Sequence, residues 1–592
     1  MNLKLLLPSF FILLFACQSS DLNFQSQKTE TELFNSFLEE YFEFHYRRSP
    51  MWQTYLGDKD ENDKLDNETD EYAQVGHEYN RKAIKRLKHF DFKLLDEQSK
   101  VSYQLFNYEI DRRIKDFKFR FHNYPVNQMR GIQSSFPSFM INFHRVSNKK
   151  DLKDYIARLN DFPRYMNEIL EGLKKREKMG IIAPKFALTK AMEAAKNVVT
   201  NQSILKDFYK KRDSLKELKY SEKKQLTNEA RRASTDSVEA SYNKLISYID
   251  DLIKKAPLEG PANGLPDGEA FYKSRLAYQT TTNMGAEEIH QLGLSEVDRI
   301  HNEMKLIMEK VKFKGNLQDF FKFIKESDQF KYPNTKEGKQ AYLDKATEII
   351  ENMKKETPKL FGLRPKADLV VKAVEPFREK SAGLAFYNGP SADGKRPGIY
   401  FVNLYDMGQA NKYEMEALAY HEGVPGHHMQ IALTTELKSL PRFRRYFRST
   451  AYIEGWGLYS EYIPKEIGLY QDPYSDFGRL SMELWRACRL VVDTGLHAKG
   501  WTRKAAIEYL AANTPATEGD NVKAIERYIV IPAQATSYKI GMLKILELRE
   551  MAKNKLGSRF DIRSFHDEVL KNGPLPLNVL EERINAWIGS VR

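Results

Sequence analysis

Residues 421–428 read HEGVPGHH and hold three of the twelve histidines of the 592-residue chain. Two histidines that share one ion on a helix stand four apart, because positions i and i+4 face the same way. Here His421 and His427 are six apart, on different faces of a regular helix. His428 returns to the first face, but about 10 Å further along at 1.5 Å rise per residue. Neither pair fits a straight helix. A proline inside a helix removes a hydrogen bond and clashes with the preceding turn, and a glycine loosens it further. Pro425-Gly426 therefore predicts a break or bulge, and a two-residue bulge between Glu422 and His427 restores the geometry of a shared site. His421 becomes one imidazole ligand and either His427 or His428 the second. Glu422, beside His421, becomes the general base toward a metal-activated water.

A catalytic zinc needs a third protein ligand. The segment YIEGWGLYSEYIPKEIG (452–468) supplies Glu454, followed by Gly455 and Gly457, whose small size predicts close approach to the metal helix. Glu461 and Glu466 are the alternatives to Glu454 as ligand in that segment, but both read as a solvated face. Further along, Asp493 and His497 of VVDTGLH are four apart and share a helical face. Asp493 is a candidate to orient a ligand histidine, and His497 to bind substrate or stabilise the transition state. In RYIVIPAQATSYKIG, Tyr528 and Tyr538 are candidates to donate to a developing oxyanion. Arg527, Lys539 and Arg396 are candidates for a substrate carboxylate, with Arg527 offering a planar fork. For each of these the plainer alternative is a core or surface role.

Outward from this stretch the chain reads as helix. Segments such as LFNSFLEEYFEFHY, LLDEQSKVSYQLFNYEIDRRI and DLKDYIARLNDFPRYMNEILEGL repeat apolar residues at three and four with Glu, Lys and Arg between them. Residues 205–255 are highly charged and helix-prone, which predicts a projecting hairpin. His290 and His301 fall on a long predicted helix and read as packing histidines. Between 368 and 406, ADLVVKAVE and PGIYFVNLYD flank a turn-rich GPSADGKRPG, predicting a small sheet or hairpin just before the metal helix. A strand there could pair with an extended substrate backbone. Mostly α is therefore the expected class, with an N-terminal helical half at about 31–365 and a metal-site half at about 366–592.

Composition excludes some functions. A net charge of +12 is interleaved with acids, as in KKRDSLKELKYSEKK, and forms no basic arm with aromatic readers, so no nucleic-acid partner is expected. The N-terminal MNLKLLLPSFFILLFAC is a targeting segment too short to span a bilayer comfortably. Its Leu14-Phe15-Ala16-Cys17 resembles a bacterial lipobox, which implies a signal peptide over 1–16, a lipid on Cys17 and a flexible tether over 17–30. Gln18 after the lipidated cysteine implies the outer membrane by the same analogy. With Cys17 lipidated, Cys488 is the other cysteine of two, so no intrachain disulfide forms. Cys488 lies in the apolar ELWRACRLVV and reads as a buried small residue, which disfavours a cysteine hydrolase.

HEGVPGHHMQ, EGWGLYSE, RACRLVVDTGLH, RYIVIPAQATSYKIG and DGKRPGIYFVN, in this order apart from the last, which lies upstream, resemble the bacterial "domain of unknown function 885" family over about 30–590. Many of its members are classed as lipoproteins. That family in turn resembles gluzincin-type helical zinc peptidases of the carboxypeptidase Taq and angiotensin-converting enzyme type. The resemblance implies a mostly α fold with a deep central cleft. It also makes Gly426-His427 the counterpart of a Gly-His pair, hence His427 the second ligand, with two extra residues as the departure. The expected activity is hydrolysis of short peptides with one zinc ion. The alternatives are a metal-dependent amide or ester hydrolase acting on cell-wall or small-molecule substrates, and a non-catalytic peptide-binding lipoprotein.

Overall fold

Amphipathic helices make up most of the chain, and their ends follow capping chemistry. In the computed structural model, residues 28–375, 379, 383–391 and 396–591 are described. The signal segment, Cys17 and nearly all of the 17–30 tether lie outside them. The first helix, Glu30–Arg47, starts on a capping box in which Thr29 and Glu32 satisfy each other's backbone N–H.

Seven helices build the site. They are α1 (Ala286–Lys310), α2 (Met415–Glu422), α3 (His427–Glu436), α4 (Thr450–Glu466), α5 (Pro473–Ala498), α6 (Glu518–Val530) and α7 (Ser537–Leu556). Helix α5 shows why the boundaries fall where they do. Asp472 accepts the Tyr474 N–H as N-cap, and Pro473 occupies the first turn, where its missing N–H costs nothing. Helices α4 and α7 cross almost backbone to backbone. A Cβ on Gly455 would lie 2.5 Å from the Gly541 Cα, and one on Gly541 would lie 1.9 Å from the Ala451 carbonyl oxygen.

The sheet predicted before the metal helix has three strands: β1 (Leu369–Ala373), β2 (Ala385–Asn388) and β3 (Gly398–Val402). Their order is β1-β3-β2. β1 runs parallel to β3 with Leu369 opposite Gly398, and β2 runs antiparallel to β3 with Ala385 opposite Val402. β2 is an additional strand, lying between the first predicted strand and the turn-rich GPSADGKRPG.

One apolar core draws on residues from Phe34 to Ile584, so the two ends of the chain pack together. A second core surrounds the helix Lys149–Lys178, and it corrects the reading of 205–255 as a projecting hairpin. Leu205, Phe208, Leu226, Ala230, Tyr242, Leu245, Ile249 and Leu252 are buried in it. Their three-and-four spacing forms a buried stripe, and the charges occupy the opposite faces. Cys488 is fully buried, and burial pushes its thiol well above the usual range. Among the described residues no helix is long and apolar enough to cross a membrane.

Candidate metal centre

The HEGVPGHH stretch is two helices, not one. α2 ends at Glu422, the loop Gly423–Gly426 follows, and α3 begins at His427. The Val424–Pro425 peptide is cis. A Cβ at Gly426 would stand 2.0 Å from the His421 carbonyl oxygen, so only glycine fits where the loop folds back on α2. The Trp456 indole N–H from α4 donates to the Pro425 carbonyl at 2.9 Å and holds the loop from outside. The break places the His421 and His427 rings with centroids 4.7 Å apart.

Glu454 completes the group. His427 Nε2 lies 3.5 Å and His421 Nε2 3.8 Å from Glu454 Oε2. All three donor atoms fall within 4.8 Å of one another. With metal–ligand distances of about 2.0–2.2 Å, two ligand atoms of a tetrahedral zinc site stand about 3.4 Å apart. The carboxylate distances are within a few tenths of that, so this donor set fits a zinc ion. The glycine expected to bring α4 close is Gly457: a Cβ there would lie 2.7 Å from His421 Cε1 and 3.1 Å from His427 Cε1. Gly455 serves the crossing with α7 instead.

The electrostatics suit a cation. Burial drives His421 down to about 3, with His427 adding to the effect. Burial also opposes the Glu454 carboxylate, but His427, His421 and Arg489 outweigh it and hold the group at about 2. Glu422 is buried and, among the described residues, makes no hydrogen bond or ion pair, while its charge acts on both histidines.

Around the triad, the residue that orients the candidate ligand His421 is Glu461. Its Oε1 lies 2.7 Å from His421 Nδ1. It is 1% exposed, which corrects its reading as a solvated acid. Burial pushes its carboxyl up to about 8, against the pull of Arg486. In the neutral tautomer that donates from Nδ1 to Glu461, the Nε2 lone pair of His421 faces Glu454. Glu466, by contrast, pairs with Arg549 at 2.8 Å near the surface.

Several other predicted residues are engaged elsewhere. His428 faces away from the triad: its Nδ1 accepts from the Tyr387 hydroxyl at 2.9 Å, and its Nε2 donates to the Ala367 carbonyl at 3.1 Å. Asp493 does not reach a ligand histidine, because it accepts from the Tyr272 hydroxyl at 2.8 Å and the Ala533 N–H at 3.0 Å. His497 has no nitrogen left for substrate: Nδ1 accepts the Ala262 N–H at 2.8 Å, and Nε2 donates to the Tyr528 carbonyl at 3.0 Å. Lys539 is fully buried, with its three donors directed at Glu483 at 2.5 Å, Glu296 at 2.7 Å and the Met542 sulfur at 3.8 Å, which leaves none for a substrate carboxylate. Arg396 is exposed; its backbone N–H donates to Ser391 and its guanidinium to the Pro397 carbonyl. His290 and His301 are packing histidines, bonded to Thr494 and the Asn513 carbonyl.

Tyr528, Tyr538 and Arg527 do gather near Glu454, with an arginine that sequence reasoning passed over. The Arg489 guanidinium lies 4.5 Å from the Tyr538 ring centroid and 5.9 Å from that of Tyr528. Arg527 bonds the Gln534 side chain, and Tyr538, Tyr528 and Glu454 help to raise it above the ordinary arginine range despite the opposing effect of burial. Arg486, Arg489 and Asp493 are spaced three and four apart along α5. A polar stripe through an otherwise apolar helix was the available signal.

The model of the family described as "Bacterial protein of unknown function (DUF885)" matches residues 50–584. The chain belongs to this family. No match was found among curated protein sequences. The DUF885 chain is similar to a "putative lipoprotein" of Colwellia psychrerythraea at 30% identity, over 95% of this chain and 99% of that one, with a TM-score of 0.88. It is also similar in fold to a "putative lipoprotein of unknown function" from Shewanella oneidensis, at 20% identity over 93% and 99% of the two chains with a TM-score of 0.74. An alignment to a "putative oligoendopeptidase F" from Bacillus anthracis str. Ames, at 12% identity, has a TM-score of 0.27 and bears on neither fold nor function.

Proposed function

We propose that this DUF885 protein is a zinc-dependent hydrolase acting on short peptides, with His421, His427 and Glu454 as ligands and Glu422 as general base. The observation that carries the reading is the meeting of two imidazoles and a carboxylate across a broken helix, beside an uncommitted buried glutamate. When bound, the ion supplies Lewis acidity toward a scissile carbonyl and an attacking water.

The chain's own groups do the rest. Glu422 takes a proton from the water and passes it to the leaving amine. Glu461 holds the His421 ring with its Nε2 turned inward. Tyr538, half-buried on α7, supplies a hydroxyl toward the oxyanion. The mostly buried triad, with the Glu454 side chain 22% exposed, favours short substrates over folded proteins. Cys17 carries the lipid that tethers the protein to the envelope, with the outer membrane as its site. Both similar structures named as lipoproteins support the lipid tether.

The decisive experiment is metal analysis of purified protein together with turnover of a short-peptide library by wild type and Glu422→Gln. About one zinc per chain in both proteins, with turnover lost only in the variant, is the expected result. A protein that binds no metal, or a variant as active as wild type, overturns the reading.

A further inference from the structure

Arg489 is 7% exposed, yet among the described residues its side chain forms no hydrogen bond or ion pair. Its Nε and Nη1 atoms are buried without a partner. An arginine cannot shed its charge inside a protein, and a buried charge left unpaired is among the costliest features a fold can carry. Other buried arginines of this chain are provided for. Arg479 binds Asp476 and Glu483, Arg158 bonds the Lys64 carbonyl and the side chains of Asn62 and Thr54, and Arg444 reaches Gln98 and Asn572. Arg486, one turn earlier on α5, has Glu461 and the Met482 carbonyl. Arg489 alone of these has no bonded partner: the rings of Tyr538 and Tyr528 lie near it, and Glu454 acts on it only at a distance.

A second donor beside it is in the same position. The Tyr528 hydroxyl is buried without a partner, on a residue 1% exposed. His497 fixes the backbone of that residue through its carbonyl. Half-buried Arg527 lies near the same ring, 5.8 Å from its centroid. The nearby anion, Glu454, is already committed to the two histidines. Two cations and an unpaired hydroxyl thus converge on the Glu454 side of the triad, around a position that calls for an anion with more than one oxygen.

We propose that Arg489, flanked by Tyr528 and Arg527, receives the free C-terminal carboxylate of a short peptide, making the hydrolysis exo-acting from the carboxyl end. This deepens the metal-hydrolase reading and rests on it for the cleavage step. The binding step stands separately. A planar guanidinium in a water-poor site discriminates a carboxylate from an amide by charge and by the donors left unpaired when the anion is missing.

Isothermal titration of the full zinc-loaded protein with three probes tests it: N-acetyl-dialanine as free acid, its C-terminal amide, and N-acetyl-alanyl-glutamate amide, which carries its carboxylate on a side chain. The free acid is expected to bind at least tenfold more tightly than either amide. Arg489→Met should bring the free acid down to the level of the amides, with zinc content kept and a Tm no lower than wild type, since it removes an unpaired charge. Should that variant not fold, Arg489→Lys serves, with the free-acid preference expected to fall at least tenfold. A free-acid preference that survives the substitution overturns the proposal. So does a side-chain carboxylate that binds as well as the free acid. The titration needs no turnover, so a protein that discriminates the probes but cleaves nothing refutes the hydrolase and leaves the carboxylate site. Cleavage without free-acid preference does the reverse.

Discussion

Replacing Gly457 by alanine puts one methyl group against the candidate ligands. The added Cβ would stand 2.7 Å from His421 Cε1, 3.0 Å from His421 Nε2 and 3.1 Å from His427 Cε1. For the closest of these to reach an ordinary contact of 3.4 Å, the His421 ring must move by about 0.7 Å. Ligand distances in a metal site tolerate only about 0.2 Å. The ring cannot simply slide back, because Glu461 holds its other nitrogen at 2.7 Å. Zinc affinity should therefore fall about 10- to 100-fold, as when a partner that orients a metal ligand is lost, which is about 1.4–2.8 kcal/mol. The metal-free protein should respond differently. Alanine in a helix interior is favoured over glycine by about 1 kcal/mol, which offsets part of the clash, so the apo Tm should change little. Zinc competition against a chromophoric chelator gives the affinity, and calorimetry gives the Tm of both forms. Unchanged zinc affinity in Gly457→Ala would show that the two rings are not held as ligands against α4, and the metal reading would fall with it.

Three more outcomes follow from partners already described. Lys539→Ala removes the fully buried cation between Glu483 and Glu296, leaving them Arg299 and Arg479, and should destabilise the protein by about 2 kcal/mol in urea unfolding; unaltered stability with a raised KM would restore Lys539 as a substrate ligand. His428→Asn should leave zinc stoichiometry at the wild-type value while His427→Asn abolishes it, so loss of zinc in the first variant refutes the assignment of His428 to Tyr387 and Ala367. Burial raises Asp493 to about 7, above an unfolded value of about 3.9, so the unfolded chain releases this proton first and the group's contribution to stability falls as pH rises from about 4 to 7. Asp493→Asn should gain on wild type across that window, and a stability difference that stays constant from pH 4 to 8 would show that the carboxyl titrates normally.

What could be read in the chain was what local physics decides. The helical class follows from spacing, and the break at Pro425-Gly426 follows from the missing N–H and Cβ. Glu454 stands out as an acid beside glycines. Partners set by tertiary packing were less visible. Glu461 looked solvated because a lone glutamate on a helix usually is; its burial depends on α2 and α5 closing over it. Asp493 and His497 share a face, as their spacing requires, but that face meets Tyr272, Ala262, Tyr528 and Ala533 rather than the metal-site histidines. In 205–255 the abundance of charge hid an ordinary apolar stripe. Arg489 was masked by its apolar neighbours, and its significance lies in the absence of a partner, which no spacing rule expresses.

The split between α2 and α3 also bears on cooperativity. His421 ends one rigid rod and His427 begins another, and the connector between them is four residues long. An ion that holds both, together with Glu454 on α4, ties three separately nucleated segments at one point. Its binding energy would appear as resistance of those segments to local opening. The centre would then act as a fastener for this quarter of the molecule, with amide exchange in α2, α3 and α4 slowing as one unit when zinc is added.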